Sequence, residues 1–118
     1  MENDLKCGFP WGEAMNCAVT VCDKEGFIIY MNSKSRATFC KDGKSLIGAS
    51  LYDCHPEHAC RKIREMLSSG ESNSYTISKN GVKKMIYQTP WRDADGTIAG
   101  LVEISMVIPE DLPHFVRN

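Results

Sequence analysis

The sequence lacks the features of several protein classes. It contains no apolar run near the roughly 20 residues that a membrane-spanning helix needs. Its first residues, MENDLKCGFPWGE, lack the basic start, apolar stretch and cleavage site of a secretory signal. The formal net charge of -1 lacks the basic excess of a nucleic-acid binder. We therefore expect a cytoplasmic location, no membrane partner and no nucleic-acid partner.

Motifs of catalysis are missing as well. The chain has no GxSxG and no glycine-rich phosphate loop. Asp93 and Asp95 lie in the segment DADG, where acidic residues form turns, so they are poor candidates for a paired-carboxylate site. We predict that the protein is not an enzyme.

The composition is that of an ordinary globular domain. Among the 118 residues, 42% are hydrophobic and 25% are charged, close to the averages for such domains. We predict one domain over 1–118, with its core at about 14–108, a flexible lead-in at 1–9 and a tail at 109–118. The six cysteines are predicted to remain free in the cytoplasm, most of them packed as small apolar side chains.

Turn residues and periodicity divide the chain into five strands and several helices. The strands are predicted at 18–22, 27–31, 74–78, 82–92 and 97–106, and the longest helix at 57–69. Asn80-Gly81 is the strongest two-residue hairpin signal, and Asn32 or Ser33 can cap a short helix. In the last strand, the alternate residues from Ile98 to Met106 are the more apolar set, so we predict that they face the core.

Three segments in this order resemble the PAS domain family. AVTVCDKEGFIIYMN is similar to its first hairpin, LIGASLYDCHP to its middle short-helix region, and TPWRDADGTIAGLVEIS to its last two strands. The resemblance covers about Ala14 to Ile108 and extends to small bacterial PAS proteins that stand alone. It implies an α+β fold with a five-stranded antiparallel sheet in the order 2-1-5-4-3 and short helices over one face.

The resemblance also implies a function. PAS domains are sensory and signalling modules that bind a small ligand, a protein partner or both. Effector domains are usually fused to them, and 118 residues leave no room for one, so either the output passes through another protein or the 118 residues are an excised piece of a longer one. Two alternatives stay open: a thiol-based redox or metal-binding protein that uses Cys54, His55 and His58, and a ligand-free dimerisation module.

Candidate site residues follow from the predicted inward positions and reactive groups. The ligand cavity is predicted to involve Tyr30, Asn32, Phe39, Leu51, Cys54, His55, Ile63, Tyr87, Trp91, Val102 and Ile104. A homodimer is predicted to form through the outer sheet face, with Phe9, Trp11, Leu101 and Val107 as candidates for the interface.

The cofactor stays unknown at this stage. A metal site would use Cys54, His55 and His58, but their spacing matches neither CxxC nor HExxH, so we favour no metal. Some PAS domains hold haem through a histidine of the long helix, and His58 lies in its first turn rather than its middle. Light-sensing members use a cysteine in a GxNCRFLQ-like segment, from which Cys54 is displaced. We favour neither haem nor flavin.

Overall fold

A computed structural model describes residues 10–118. Its elements are α1 (Pro10–Glu13), β1 (Ala18–Asp23), β2 (Ile28–Met31), α2 (Ser33–Phe39), a 3-10 turn (Leu51–Asp53), α3 (Glu57–Ser69), β3 (Asn73–Lys79), β4 (Val82–Arg92) and β5 (Ile98–Val107). The predicted strands and the long helix are confirmed to within two residues at each end. In the described part of the chain, no helix is long and apolar enough to cross a membrane.

The five strands form one antiparallel sheet in the order β2-β1-β5-β4-β3, as predicted. Helix α3 packs on β5 and β4, and α2 packs on β1 and β2. We call the face under these helices the inner face and the opposite one the outer face. The central strand β5 therefore lies under α3 and its neighbour β1 under α2, so both strands can contribute side chains to a site between the layers.

The turn from β1 to β2 depends on an aspartate and a glycine. Oδ1 of Asp23 accepts hydrogen bonds from the backbone N–H groups of Glu25 and Phe27, each at 3.0 Å. Gly26 has φ +91°, and a Cβ atom there would lie 2.5 Å from the Tyr52 ring. A side chain at this position would therefore be strained by the backbone and obstructed by the ring.

The core lies between α3 and the inner face. Its buried cluster consists of Cys22, Ile63, Met66 and Leu101. Burial raises the pKa of the Cys22 thiol to about 11, so the thiol stays protonated at neutral pH. Cys22 therefore acts as a small apolar core side chain, in agreement with the prediction for most of the cysteines.

The predicted core face of β5 is wrong. Leu101 and Ser105 are only 4% and 8% exposed and lie on the inner face, whereas Val102 and Ile104 alternate with them on the outer face. The set of alternate residues with more apolar members was the wrong choice of core face. The inner positions of β5 include Glu103, which lines a cavity, while the outer face is apolar without being the core.

Gly100 allows a contact that crosses three strands. Nε1 of Trp91 on β4 donates a 3.0 Å hydrogen bond to the carbonyl oxygen of Cys22 on β1, passing over β5. A Cβ atom at Gly100 would contact that same carbonyl oxygen and would lie 2.5 Å from the indole nitrogen. The close approach of β1 and the Trp91 ring thus requires glycine at this position.

Candidate functional site

A cavity of about 350 Å³ lies between α3 and the inner face of the sheet. The sheet contributes the side chains of Thr20, Cys22, Asn73, Tyr75, Gln88, Leu101 and Glu103. The 3-10 turn, the following loop and α3 contribute those of Leu51, His55, His58, Ala59, Lys62, Ile63 and Met66. We call this space the main cavity. Its volume is in the range of pockets that hold small organic molecules.

A row of polar side chains forms the sheet side of the main cavity. Asn73, Gln88, Glu103 and Thr20 pair directly across β3, β4, β5 and β1. Nδ2 of Asn73 donates to Oε1 of Gln88 at 2.9 Å, and Nε2 of Gln88 donates to Oε2 of Glu103 at 2.9 Å. We call these four residues the polar row. The donors point along it toward Glu103, so the carboxylate receives the chain of hydrogen bonds.

The Glu103 carboxylate keeps an unused acceptor. Among the described residues, only Gln88 donates a hydrogen bond to this carboxylate, and its Oε2 atom is the acceptor. The carboxylate forms no ion pair with any described residue. Burial raises the pKa of the neighbouring Tyr75 phenol, and the negative charge of Glu103 raises it further. Tyr75 therefore remains a protonated hydroxyl at neutral pH. A bound molecule would meet a carboxylate oxygen beside a phenol.

The rest of the main cavity is apolar inside and basic at its mouth. Leu51, Ile63 and Met66 face Leu101 across the space, while His58 and Lys62 line it from the exposed side of α3. The site thus offers an acceptor at the sheet, apolar walls and donors at the opening. This arrangement can hold a small molecule by shape and by a few directed hydrogen bonds.

Three of the predicted cavity residues line the main cavity, namely Leu51, His55 and Ile63. Five others are corrected, because the strand register places them on the outer face: Tyr30, Tyr87, Trp91, Val102 and Ile104. Successive residues of a strand point to opposite faces, so the neighbours Gln88, Leu101 and Glu103 line the cavity in place of Tyr87, Val102 and Ile104. The error follows directly from the wrong choice of face for β5.

The remaining three predicted residues also lie outside the main cavity. Asn32 is fully buried and, as the cap of α2, ties several backbone segments together. Phe39 ends α2 and is exposed. Cys54 is exposed and its thiol donates to the carbonyl oxygen of Ser50 at 3.2 Å. Asn32 therefore has a structural role, and Phe39 and Cys54 face solvent.

The polar row was missed by reasoning from the sequence. Apolar character was the criterion for inward positions, and none of these four residues is apolar. The Asn80-Gly81 hairpin fixes the register of β3 and β4 and so pairs Asn73 with Gln88. Two polar residues opposite each other on the covered face of a sheet are the signal that could have revealed the row.

The three reactive residues of the Cys54–His58 segment do not form one cluster, because His55 and His58 line the main cavity and Cys54 does not. The Nδ1 atom of His55 lies 2.8 Å from the carbonyl oxygen of Leu51, as expected for a histidine that hydrogen-bonds the backbone in a turn. His58 points to the main cavity from the first turn of α3. Within residues 10–118, no three histidine, cysteine or acidic side chains come together in a group that could hold a metal ion.

The four predicted interface residues have different positions. Phe9 lies outside the described residues. Trp11 in α1 is 66% exposed. Val107 at the end of β5 is 61% exposed but is corrected, because the alternation along β5 places it on the inner face with Ser105. Leu101 is corrected: it belongs to the core, because its side chain points to α3 rather than to the outer face.

Comparisons with known proteins agree with this architecture. Residues 13–111 match the family described as PAS fold. A PAS domain from Colwellia psychrerythraea has a TM-score of 0.66 and 18% identity, over 89% of this chain and 97% of that one. A sensory box sensor histidine kinase from Vibrio cholerae has a TM-score of 0.64 and 16% identity, over 92% and 94%.

A third similar structure is VqmA bound to DPO, with a TM-score of 0.65 and 18% identity. The alignment covers 86% of this chain and 56% of that one. No curated protein matches the sequence significantly. The sheet order, the helices on one face and the family match over 13–111 together show that the chain belongs to the PAS fold family.

Proposed function

We propose that the protein is a sensory domain that binds a small organic molecule in the main cavity and passes the binding event to a partner protein, without catalysis of its own. The observation that carries the proposal is the polar row. Its chain of hydrogen bonds ends at the Glu103 carboxylate, which keeps an unused acceptor inside a largely apolar space. Ligand pockets are commonly apolar with a few placed polar groups of this kind.

The chemistry of the cavity restricts the class of ligand that it can bind. A carboxylate beside a protonated phenol favours an N–H edge or a small cationic group, and the facing Leu51, Ile63 and Met66 favour an apolar body. The volume of about 350 Å³ limits it to a small molecule. The similarity to VqmA, which is bound to DPO, supports the view that this fold admits a small ligand.

The proposal is tested by identifying the small molecules that are bound to the purified protein. Untagged protein is purified gently and denatured, and the released small molecules are identified by liquid chromatography and mass spectrometry. We expect one compound at near-stoichiometric amount from the native protein and from Glu65→Gln, an exposed change on α3. Glu103→Gln should carry about a tenth of that amount or less, because a hydrogen bond to a charged group is lost. Equal amounts in all three proteins would contradict the proposal.

We propose a second function, homodimer formation through the outer face. The residues that support it are apolar or aromatic side chains on neighbouring strands, half-buried except for the exposed Tyr87, namely Val19, Val21, Tyr87, Val102, Ile104 and Met106. Contiguous apolar surface of this kind is typical of interfaces. A second copy is the proposed occupant, since two equal apolar faces bury each other symmetrically.

Sedimentation velocity tests the dimer. We expect the native protein and Lys79→Gln, an exposed change at the end of β3, to sediment at twice the monomer mass of 13.2 kDa. Ile104→Arg should sediment as a monomer, because the arginine places an uncompensated charge at the centre of the face. Monomeric native protein at high concentration would exclude this proposal.

We also propose that the protein works in the cytoplasm. All five cysteines within the described residues are free thiols. Free thiols suit a reducing compartment.

A further inference from the structure

A second cavity, of about 290 Å³, lies at the other end of the inner face, between α2 and the sheet. Ala18 and Ser105 pair directly across β1 and β5 there. Both side chains are small, so the sheet leaves space beneath the helix at this point. Lys34 and Thr38, one turn apart on α2, line the space from the helix side. None of its lining residues belongs to the main cavity.

Ser105 gives this cavity an available hydroxyl. Its side chain is only 8% exposed and lines the cavity. Among the described residues, no group hydrogen-bonds its Oγ atom. No buried side-chain oxygen or nitrogen atom of the described residues lacks a partner, so the unbonded Oγ atom of Ser105 is itself accessible from the cavity. The Ser105 hydroxyl can therefore donate to a molecule in the cavity without giving up an existing bond.

Two lysines add positive charge to the same space. Lys84 pairs with Val107, two residues beyond Ser105 on β5, so it is a diagonal neighbour of Ser105 on the inner face. Lys34 reaches the cavity from α2. Within residues 10–118 neither ammonium group forms an ion pair, and no acidic side chain lines the cavity. The hydroxyl of Thr38 already donates to the Lys34 carbonyl oxygen at 2.8 Å.

We propose that this cavity binds a small oxyanion, through the ammonium groups of Lys34 and Lys84 and the hydroxyl of Ser105. Phosphate and carboxylate groups share the chemistry that these donors recognise. Such an anion would connect α2 to β4 and to the end of β5. The backbone N–H of Ile108, directly after β5, donates to the Lys83 carbonyl oxygen at 3.0 Å, so the anion would sit beside the point where the chain leaves the sheet.

The test is a titration of the full chain followed by amide NMR spectra. Inorganic phosphate and acetate are added separately, and sodium chloride keeps the ionic strength constant. We expect saturable shifts at Ser105, Lys84 and Thr38 with at least one of the two anions, and the two series distinguish phosphate from carboxylate recognition. Lys84→Gln and Ser105→Ala should each weaken binding about tenfold, because each removes a hydrogen bond to a charged group.

Lys24→Gln is the matched control, since it removes an exposed lysine in the turn after β1, at the opposite end of that strand from Ala18, and should leave the affinity unchanged. Ser105→Ala removes a single oxygen atom and keeps the test valid should Lys84→Gln disturb the fold. The proposal is overturned if neither anion gives saturable shifts. It is also overturned if the shifts spread evenly over exposed lysines, or if Ser105→Ala binds as tightly as the native protein.

Discussion

Replacing Asn32 by alanine should destabilise the protein more than any other removal of one polar side chain discussed here. The Asn32 side chain is fully buried and makes four hydrogen bonds. Its Oδ1 accepts from the N–H groups of Val19 at 2.9 Å and Ser35 at 3.0 Å. Its Nδ2 donates to the carbonyl oxygens of Gly12 and Cys17, both at 2.9 Å. One side chain thus joins α1, the start of β1 and the cap of α2.

The size of the effect follows from these partners. Alanine leaves the N–H groups of Val19 and Ser35 and the Cys17 carbonyl oxygen without a partner, while the Gly12 carbonyl oxygen keeps a 3.5 Å bond from the Met15 N–H. Each buried group left unsatisfied costs about 1–3 kcal/mol. The bonds to Ser35 and Cys17 are buried, whereas those to Val19 and Gly12 are only partly buried, so water can replace the second pair at lower cost. We expect the free energy of unfolding to fall by about 3–5 kcal/mol, which is a large part of a typical domain's stability.

Urea unfolding followed by circular dichroism measures this change, and a thermal scan should show the midpoint lowered by about 10–20 °C. Ser33→Ala is the matched control. The Ser33 hydroxyl donates to the Glu13 carbonyl oxygen at 2.9 Å on the exposed side of the same junction, so its loss should cost about 0.5 kcal/mol. A decrease below about 1 kcal/mol for Asn32→Ala would refute this account of the junction.

Three further predictions concern other parts of the fold. Gly100→Ala should lower the free energy of unfolding by about 3 kcal/mol, because the added methyl group meets a backbone carbonyl of β1 that cannot move aside. An unchanged midpoint in urea unfolding would contradict the close approach of β1 and Trp91 at Gly100. A hydrogen bond from Arg36 holds the pKa of Glu13 below its ordinary value, so the carboxylate stabilises the fold above the unfolded pKa of 4.5 and this contribution is lost as the pH falls through the lowered pKa. Glu13→Gln should therefore be less stable than the native protein by about 0.5 kcal/mol at pH 7 and nearly equal to it near pH 3, and a difference independent of pH would count against the pair. Thiol mapping by mass spectrometry should find Cys54 modified at the rate of a thiol in a short peptide and Cys22 protected until unfolding; a much faster Cys54 would instead favour the thiol-based redox alternative.

The sequence determined the order and bounds of the elements well because local signals set them. Asn80-Gly81 defines the hairpin between β3 and β4, and Asn32 was correctly predicted as one of two candidate caps of α2. The other bonds of Asn32 join residues 13, 15 and 20 positions away, which no local pattern reports. Its role as a junction could therefore not be predicted.

The candidate site was predicted only in part, and for a related reason. Leu51 and Ile63 were found because they are apolar and lie in the helical layer, where spacing indicates the buried side. Glu103 was missed because a charged residue in a strand normally faces solvent, and only the pairing of β5 with β1 and β4 reveals its face. Where both alternating sets of residues in a strand contain apolar side chains, the strand register is needed to know which set faces the core.

Native mass spectrometry of gently purified, untagged protein is the most direct test of ligand binding in the main cavity. We expect a species heavier than the 13.2 kDa chain by one small organic molecule per protomer, which the Glu103→Gln variant loses under the same conditions. Native protein with only the mass of the bare chain, in every charge state and oligomer, would contradict ligand binding in the main cavity.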